Sequence, residues 1–271
     1  MKWFLNIPKI LHVYWGTGSL PYLRYRTVSS FLECNPDWKV ILWRPRYPAK
    51  VVTWQTKELQ YESNWADYTQ SLVEIVSEVI EVDFAEHGMP NNMSEVHKSD
   101  FLRYWFLHTY GGVYADMDVL FFRPIEKLEV NHPHFKDRET FVCISPKYGH
   151  SIGFLMASPG SKYFQRMEEL SKAAFKDPKV YQCIGPNLCN KYFPTLQSIK
   201  AISPAAEIGM RAVYAHDGRR VKELYAEPGG ERFTSQSIGV HWYAGHPLAG
   251  EFLRSTDGGR VNLPNNIIGR L

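Results

Sequence analysis

A wound α/β domain is what this sequence predicts, and three observations predict it. The chain opens strand–loop–helix–strand over residues 7–43; a capped, largely apolar helix over 95–110 runs straight into Gly111-Gly112; and an apolar extended segment over 113–122 is broken by two acids.

The elements follow in order. Ile7 to Trp15 is an apolar run bounded by Pro8 and Gly16, hence a buried strand, and Gly16-Thr17-Gly18-Ser19 is the loop after it. Pro21 to Cys34 has helical spacing through Leu23, Thr27, Phe31 and Cys34, and Asn35-Pro36-Asp37 stops it. Trp38 to Trp43 is the second strand. Ser71 to Phe84 carries many β-branched residues and fits helix and strand equally well. Ser94 is an N-cap for the helix Glu95 to Tyr110, which Gly111-Gly112 terminates. Val113 to Phe122 reads as one strand interrupted by Asp116 and Asp118. A further amphipathic helix, Lys162 to Lys176, places Tyr163, Met167, Leu170 and Ala174 on one face. The last third is short segments rich in Gly and Pro. No repeat, low-complexity stretch or linker divides the 271 residues, so one domain over 1–271 is expected.

Composition narrows the function. With 44% hydrophobic and 22% charged residues the chain is globular, not disordered, collagen-like or a disulfide scaffold. Lys plus Arg is 31 against 28 for Asp plus Glu, without a basic run, which argues against a nucleic-acid partner. Cys34, Cys143, Cys183 and Cys189 form no CxxC pair and fit no zinc spacing, so reduced thiols are expected. Met1 to Leu11 lacks the unbroken apolar core of a signal peptide, and no run is long enough to span a bilayer. A cytoplasmic protein without an integral membrane segment is the expectation. The aromatic share of 14% is high, which fits either a large aromatic core or a cleft that stacks on sugars or nucleobases.

The chemistry concentrates in Ser99-Asp100-Phe101-Leu102-Arg103-Tyr104 and Gly111-Gly112-Val113-Tyr114-Ala115-Asp116-Met117-Asp118-Val119. Helical spacing puts Val96, Asp100, Arg103 and Leu107 on one face. Phe101, Leu102, Trp105 and Phe106 make the other faces apolar, so the charges are buried. On spacing alone, a structural Asp100–Arg103 ion pair and a polar ligand site are equally good readings. Asp116 and Asp118, two apart in a regular strand, face the same side. Their mutual repulsion is relieved by a cation, and hard ions such as Mn²⁺ or Mg²⁺ prefer carboxylates while keeping positions open for phosphate oxygens.

Taken whole, SDFLRY…GGVYADMDV resembles the "SD–RY–GGxYxDxD" signature of DXD-containing glycosyltransferases, among them glycosyltransferase family 32 and the related clostridial glucosylating toxins. Ile7-Pro8-Lys9-Ile10-Leu11-His12 with Trp15-Gly16, and Asn35-Pro36-Asp37-Trp38 with Leu42-Trp43, resemble the family's first two strands. The resemblance covers the first 125 residues and is weaker beyond them.

It implies a GT-A fold, a Rossmann-like α/β domain with a mixed central sheet flanked by helices. Residues 1–125 would bind the nucleotide sugar, and 126–271 would bind the acceptor and complete the metal site. It implies a metal-dependent, retaining hexosyltransferase using Mn²⁺ or Mg²⁺ and a nucleotide-sugar donor, UDP-hexose first and GDP-mannose second, with a glycan as acceptor. By the same resemblance Asp118 ligates the metal most directly, Asp116 meets the metal or the ribose, and Arg103 stabilises phosphate charge or holds the donor sugar. Asp100 accepts from sugar hydroxyls, Trp15 stacks on the nucleobase, and Tyr114 belongs to the same donor site. The third metal ligand is expected at Ile238-Gly239-Val240-His241-Trp242, with His241 first and His246 as the alternative; Trp242 would line the cleft. Gly185-Pro186-Asn187 resembles a loop between donor and acceptor. A bacterial or viral surface-glycan pathway is the expected setting. Two other readings compete: a non-catalytic sugar-binding protein on the same fold, and a DxD phosphatase. The phosphatase needs a hydroxyl-bearing or small β-branched residue where Leu120 stands.

Overall fold

The structure, a computed structural model, describes residues 6–16, 18–49, 66–131, 137–177, 180, 182–227, 231–260 and 263–271. Met1–Leu5 of the N-terminal stretch and Thr17 of the first loop lie outside them. Strand β1 (Ile10–Tyr14), helix α1 (Tyr22–Cys34) and strand β2 (Lys39–Pro45) form the expected opening. Asn35 ends α1 by donating from its side-chain amide to Phe31 O at 2.9 Å. The ambiguous segment 71–84 uses both readings in turn: α2 (Thr69–Ile75) is followed by β3 (Glu78–Val82) and a 3₁₀ turn at Phe84–His87. Helix α3 (Glu95–Thr109) starts at Ser94, whose hydroxyl accepts from His97 N. It gives way to β4 (Gly112–Ala115) through two left-handed glycines, Gly111 at φ 66° and Gly112 at φ 98°. A Cβ on Gly112 would lie 2.6 Å from Ile10 O, so glycine lets α3 turn directly into the sheet beside β1.

The segment 113–122 is not one strand. β4 ends at Ala115, the chain turns at Asp116–Val119 with Val119 N donating to Asp116 O at 3.2 Å, and β5 (Val119–Phe121) starts in a different sheet. β6 (Thr140–Ser145), β7 (Gly149–Ala157), α4 (Lys162–Ala174), α5 (Pro186–Tyr192), α6 (Leu196–Lys200), β8 (Ala205–Glu207), α7 (Val221–Tyr225), β9 (Gly239–His241), α8 (Pro247–Ser255) and α9 (Ile267–Arg270) complete the order. The seven-stranded sheet runs β3-β2-β1-β4-β7-β6-β8. The first four strands are parallel, and β7 enters antiparallel to β4 and β6. The mixed central sheet flanked by helices is thus the one expected. β5 pairs antiparallel with β9, His241 opposite Val119.

Strand alternation divides the core. Leu11 and Val13 face Phe31 and Val28 of α1 on one side of the sheet, whereas Tyr14 and Trp43 face Phe101 and Tyr104 of α3 and, beyond them, Phe164 of α4. A third cluster, Leu120, Val240, Trp242, Leu224, Phe252 and Leu253, ties the two-stranded sheet to α7 and α8. All four cysteines are free thiols. No described helix is long and apolar enough to cross a membrane.

Candidate active site

The turn between β4 and β5 lies at the floor of a cleft of about 660 Å³. A turn brings the two acids together where a strand would have set them at one fixed alternation, and it aims both at β9. Asp116, Asp118 and His241 each offer one ligand atom, and these atoms lie within 4.8 Å of one another. His241 Nε2 is 3.1 Å from Asp118 Oδ1 but off the line of a hydrogen bond, so that oxygen is buried without a hydrogen-bond donor. Asp118 Oδ2 accepts from Ala244 N at 3.1 Å. His241 Nδ1 accepts from Tyr243 N at 3.2 Å, which leaves the ring proton on Nε2, toward Asp118. Burial works to raise the Asp118 carboxyl, but His241, Arg24 and the Ala244 N–H outweigh it and hold it below the ordinary carboxylate range. Burial works against the His241 imidazolium, and the facing Asp118 and Asp116 outweigh it, so the ring is held above its ordinary value. An orphaned carboxylate oxygen beside a second acid and an imidazole is a donor set that fits a divalent cation.

Helix α3 supplies the wall. Arg103 and Asp100 are both buried, with Arg103 Nη2 2.9 Å from Asp100 Oδ1 and 3.3 Å from Asp116 Oδ1. Arg103 also donates to Ser99 O, Ser99 Oγ and Ile152 O, and its guanidinium lies 4.4 Å over the Tyr114 ring. Each of its three nitrogens is already engaged. Tyr114 O–H donates to Asp116 Oδ1 and shares a 3.0 Å contact with Ser99 Oγ. Burial pushes the Asp100 carboxyl up to about 7; Arg103 opposes this and Asp116 adds to it. Asp100 Oδ2 is buried with no partner, and a Cβ on Gly185 would come within 2.4 Å of it. The two alternatives left open by helical spacing therefore coexist: Asp100 and Arg103 are an ion pair, and both line the cleft.

Trp15, Pro186 and Asn187 line the cleft as well. Trp15 Nε1 donates to Gly18 O at 3.2 Å, and the Arg24 guanidinium lies between Trp15 and Trp242, 5.2 and 5.4 Å from the two rings. Two expected residues are elsewhere. Trp242 is fully buried in the third cluster, where it backs Arg24 instead of facing the cleft. His246 caps α8, its Nδ1 accepting from Leu248 N at 3.2 Å, and stands apart from the acid turn. The cleft also has residues that sequence reasoning missed. Arg24, Tyr148, Tyr214 and Gly153 line it, and a Cβ on Gly153 would meet Asp116 Oδ2 at 2.5 Å and Tyr214 Oη at 2.8 Å. A glycine inside the strand-like run GHSIGFLMA marks a close approach, and that signal was available. No comparable signal marks Arg24 or Tyr214.

Residues 22–135, the part that holds the acid turn, α3 and Tyr114, match the family model described as the glycosyltransferase sugar-binding region containing the DXD motif. The chain carries a DXD glycosyltransferase region. Over 190 residues the chain is 26% identical to inositol phosphoceramide mannosyltransferase 1 of Schizosaccharomyces pombe, covering 67% of this chain and 49% of that protein. Over 153 residues it is 29% identical to inositol phosphoceramide mannosyltransferase 3 of the same yeast, covering 56% and 35%. The chain thus spans half or less of the length of these curated relatives. Among solved structures, PaToxG glycosyltransferase is similar with TM-score 0.49 and 13% identity, over 72% of this chain and 73% of that one. The resemblance stated from the sequence is borne out over residues 22–135. The curated relatives are yeast proteins, which gives the bacterial or viral setting no support.

Proposed function

We propose that the DXD glycosyltransferase region moves a hexose from a nucleotide-sugar donor to a hydroxyl of a glycan acceptor. Mannose is favoured as the sugar, because two relatives are named mannosyltransferases. That places GDP-mannose ahead of a UDP-hexose as donor. The observation that carries the reading is the acid turn, where Asp116, Asp118 and His241 converge on one point in the cleft.

Asp118, Asp116 and His241 would hold a divalent metal, Mn²⁺ or Mg²⁺, which when bound stabilises the diphosphate leaving group as a Lewis acid. Holding the metal through His241 Nε2 would require that nitrogen to give up its proton, so binding would be tighter at higher pH. Arg103 is a positioning residue: its donors are spent on Asp100, Asp116, Ser99 and Ile152, and it fixes the two carboxylates from behind. Asp100 has an unpartnered oxygen in the cleft and would accept from donor-sugar hydroxyls. Trp15, on the cleft wall and backed by Arg24, would stack on the nucleobase. No side chain is assigned as nucleophile. Transfer with retention leaves the departing diphosphate to take the acceptor proton.

The test is a panel of nucleotide sugars incubated with the protein and Mn²⁺, with nucleoside diphosphate release as readout. Slow hydrolysis of GDP-mannose above all other donors is expected. Release from no donor overturns the reading, and preference for a UDP-hexose overturns the choice of sugar.

A further inference from the structure

We propose that a second cavity beside the cleft seats an anionic group of the phosphate-ester class carried by the acceptor; this rests on the transferase reading above. The cavity, about 460 Å³, is lined by Arg211, Arg220 and Arg232. Their charges are unequally committed. Arg232 is held by Glu223, with Nε at 2.5 Å and Nη2 at 3.0 Å from its oxygens. The two lining carboxylates are engaged as well. Glu231 pairs with Arg270 at 2.8 Å, while Asp217 accepts from Arg219 N at 3.0 Å and from Tyr148 Oη at 3.4 Å. Arg211 and Arg220 are exposed, and among the described residues neither forms an ion pair with a carboxylate. Two guanidiniums without a salt bridge in one concavity are a recognition element for a phosphate-ester oxyanion, which each can grip with paired N–H donors.

Position makes this an acceptor subsite. Tyr148 and Tyr214 line both the arginine cavity and the cleft. The Tyr214 ring lies 5.0 Å from the His241 ring, and a Cβ placed on Gly153 would lie 2.8 Å from its hydroxyl and 2.5 Å from Asp116 Oδ2. The two tyrosines form an aromatic wall with the acid turn at one end and the arginines at the other. Tyr148 is 42% exposed and flanked by Lys147 at 5.1 Å and Arg219 at 5.5 Å, which extends the positive potential to the rim. A sugar or polyol ring laid on this wall presents a hydroxyl toward the turn and an anionic substituent to Arg211 and Arg220.

The test is calorimetric titration of the full chain without metal, comparing myo-inositol 1-phosphate with myo-inositol. The phosphate ester is expected to bind at least ~10-fold more tightly. Arg211→Gln with Arg220→Gln should weaken it by roughly 10- to 100-fold and leave myo-inositol unchanged, while lysine at both positions recovers part of the loss. Arg166→Gln, an exposed arginine on α4, should bind as the wild type. Equal affinity for the two probes, or unaltered binding by the double glutamine variant, overturns the proposal. Sedimentation with phosphatidylcholine vesicles carrying phosphatidylinositol separates the sources. Capture that the double variant loses assigns a lipid headgroup, and binding of the soluble ester alone assigns a free phosphate ester. The donor panel reports on the transferase reading by itself, so its failure and a failure of the affinity comparison are told apart.

Discussion

Replacing Gly153 with alanine tests how tightly the acid turn is held. The new methyl would stand 2.5 Å from Asp116 Oδ2 and 2.8 Å from Tyr214 Oη. Ordinary contact begins at 3.4 Å, so the carboxylate must move by about 0.9 Å. The backbone has no room to retreat, because Asp116 N donates to Gly153 O at 2.8 Å and β4 is paired with β7 up to Ala115. The carboxylate is also restrained from rotating by Tyr114 O–H and by Arg103 at 3.3 Å. Misplacing a group by about 1 Å at a reacting centre costs on the order of 10²-fold in rate. One extra carbon in a packed site costs about 1–3 kcal/mol, so the fold should survive with Tm lowered by no more than about 10 °C. The assay is Mn²⁺-dependent donor hydrolysis with Mn²⁺ affinity measured in parallel. Gly218→Ala, with nothing within 4 Å of its new methyl, is the control. A Gly153→Ala rate within ~3-fold of wild type at unchanged metal affinity would refute the reasoning, since the carboxylate position would then not matter.

Three further outcomes are expected. Asp118→Asn should cut donor hydrolysis by at least ~100-fold, and its His241 should titrate lower than in the wild type because the carboxylate that raises it is gone; NMR of the imidazole reads this directly. Trp15→Ala should weaken nucleoside diphosphate binding by roughly 10-fold, the worth of one stacked base, as measured by calorimetry. His12 is buried and neutral, its Nδ1 accepting from Trp43 Nε1 at 3.0 Å and its Nε2 facing Gly111 O at 2.9 Å, and burial pushes it down to about 4. Its stabilising contribution is complete above the unfolded value of 6.5 and is lost as pH falls through that value toward 4. The loss is on the order of 3 kcal/mol, read as a falling urea midpoint.

Local signals carried the α/β architecture well. Ser94 and Gly111-Gly112 bound α3 where their chemistry predicts, because capping and left-handed φ are decided within a few residues. The acid segment was misread for the opposite reason. Val113 to Phe122 has the composition of a continuous strand, and nothing within it announces that its halves pair with different partners, β7 and β9, from distant parts of the chain. Asp116, Asp118 and His241 were legible as ligand types, yet their meeting depends on that change of sheet. Trp242 shows the limit in the other direction. Its neighbour His241 ends β9 facing the cleft, whereas the indole one residue further on turns into the core behind it, so proximity in sequence was no guide to proximity in the site. Arg24 and Tyr214 enter through tertiary packing alone.

The break between β4 and β5 also orders events in time. Every strand of the seven-stranded sheet has been synthesised once Glu207 has been added, and the acid turn is by then in place between β4 and β5. The third ligand comes on β9, a strand of three residues whose partner is the equally short β5. A growing chain can thus close its main sheet while the ligand set is still incomplete. Competence for the proposed metal would then be deferred until the distal segment docks on β5.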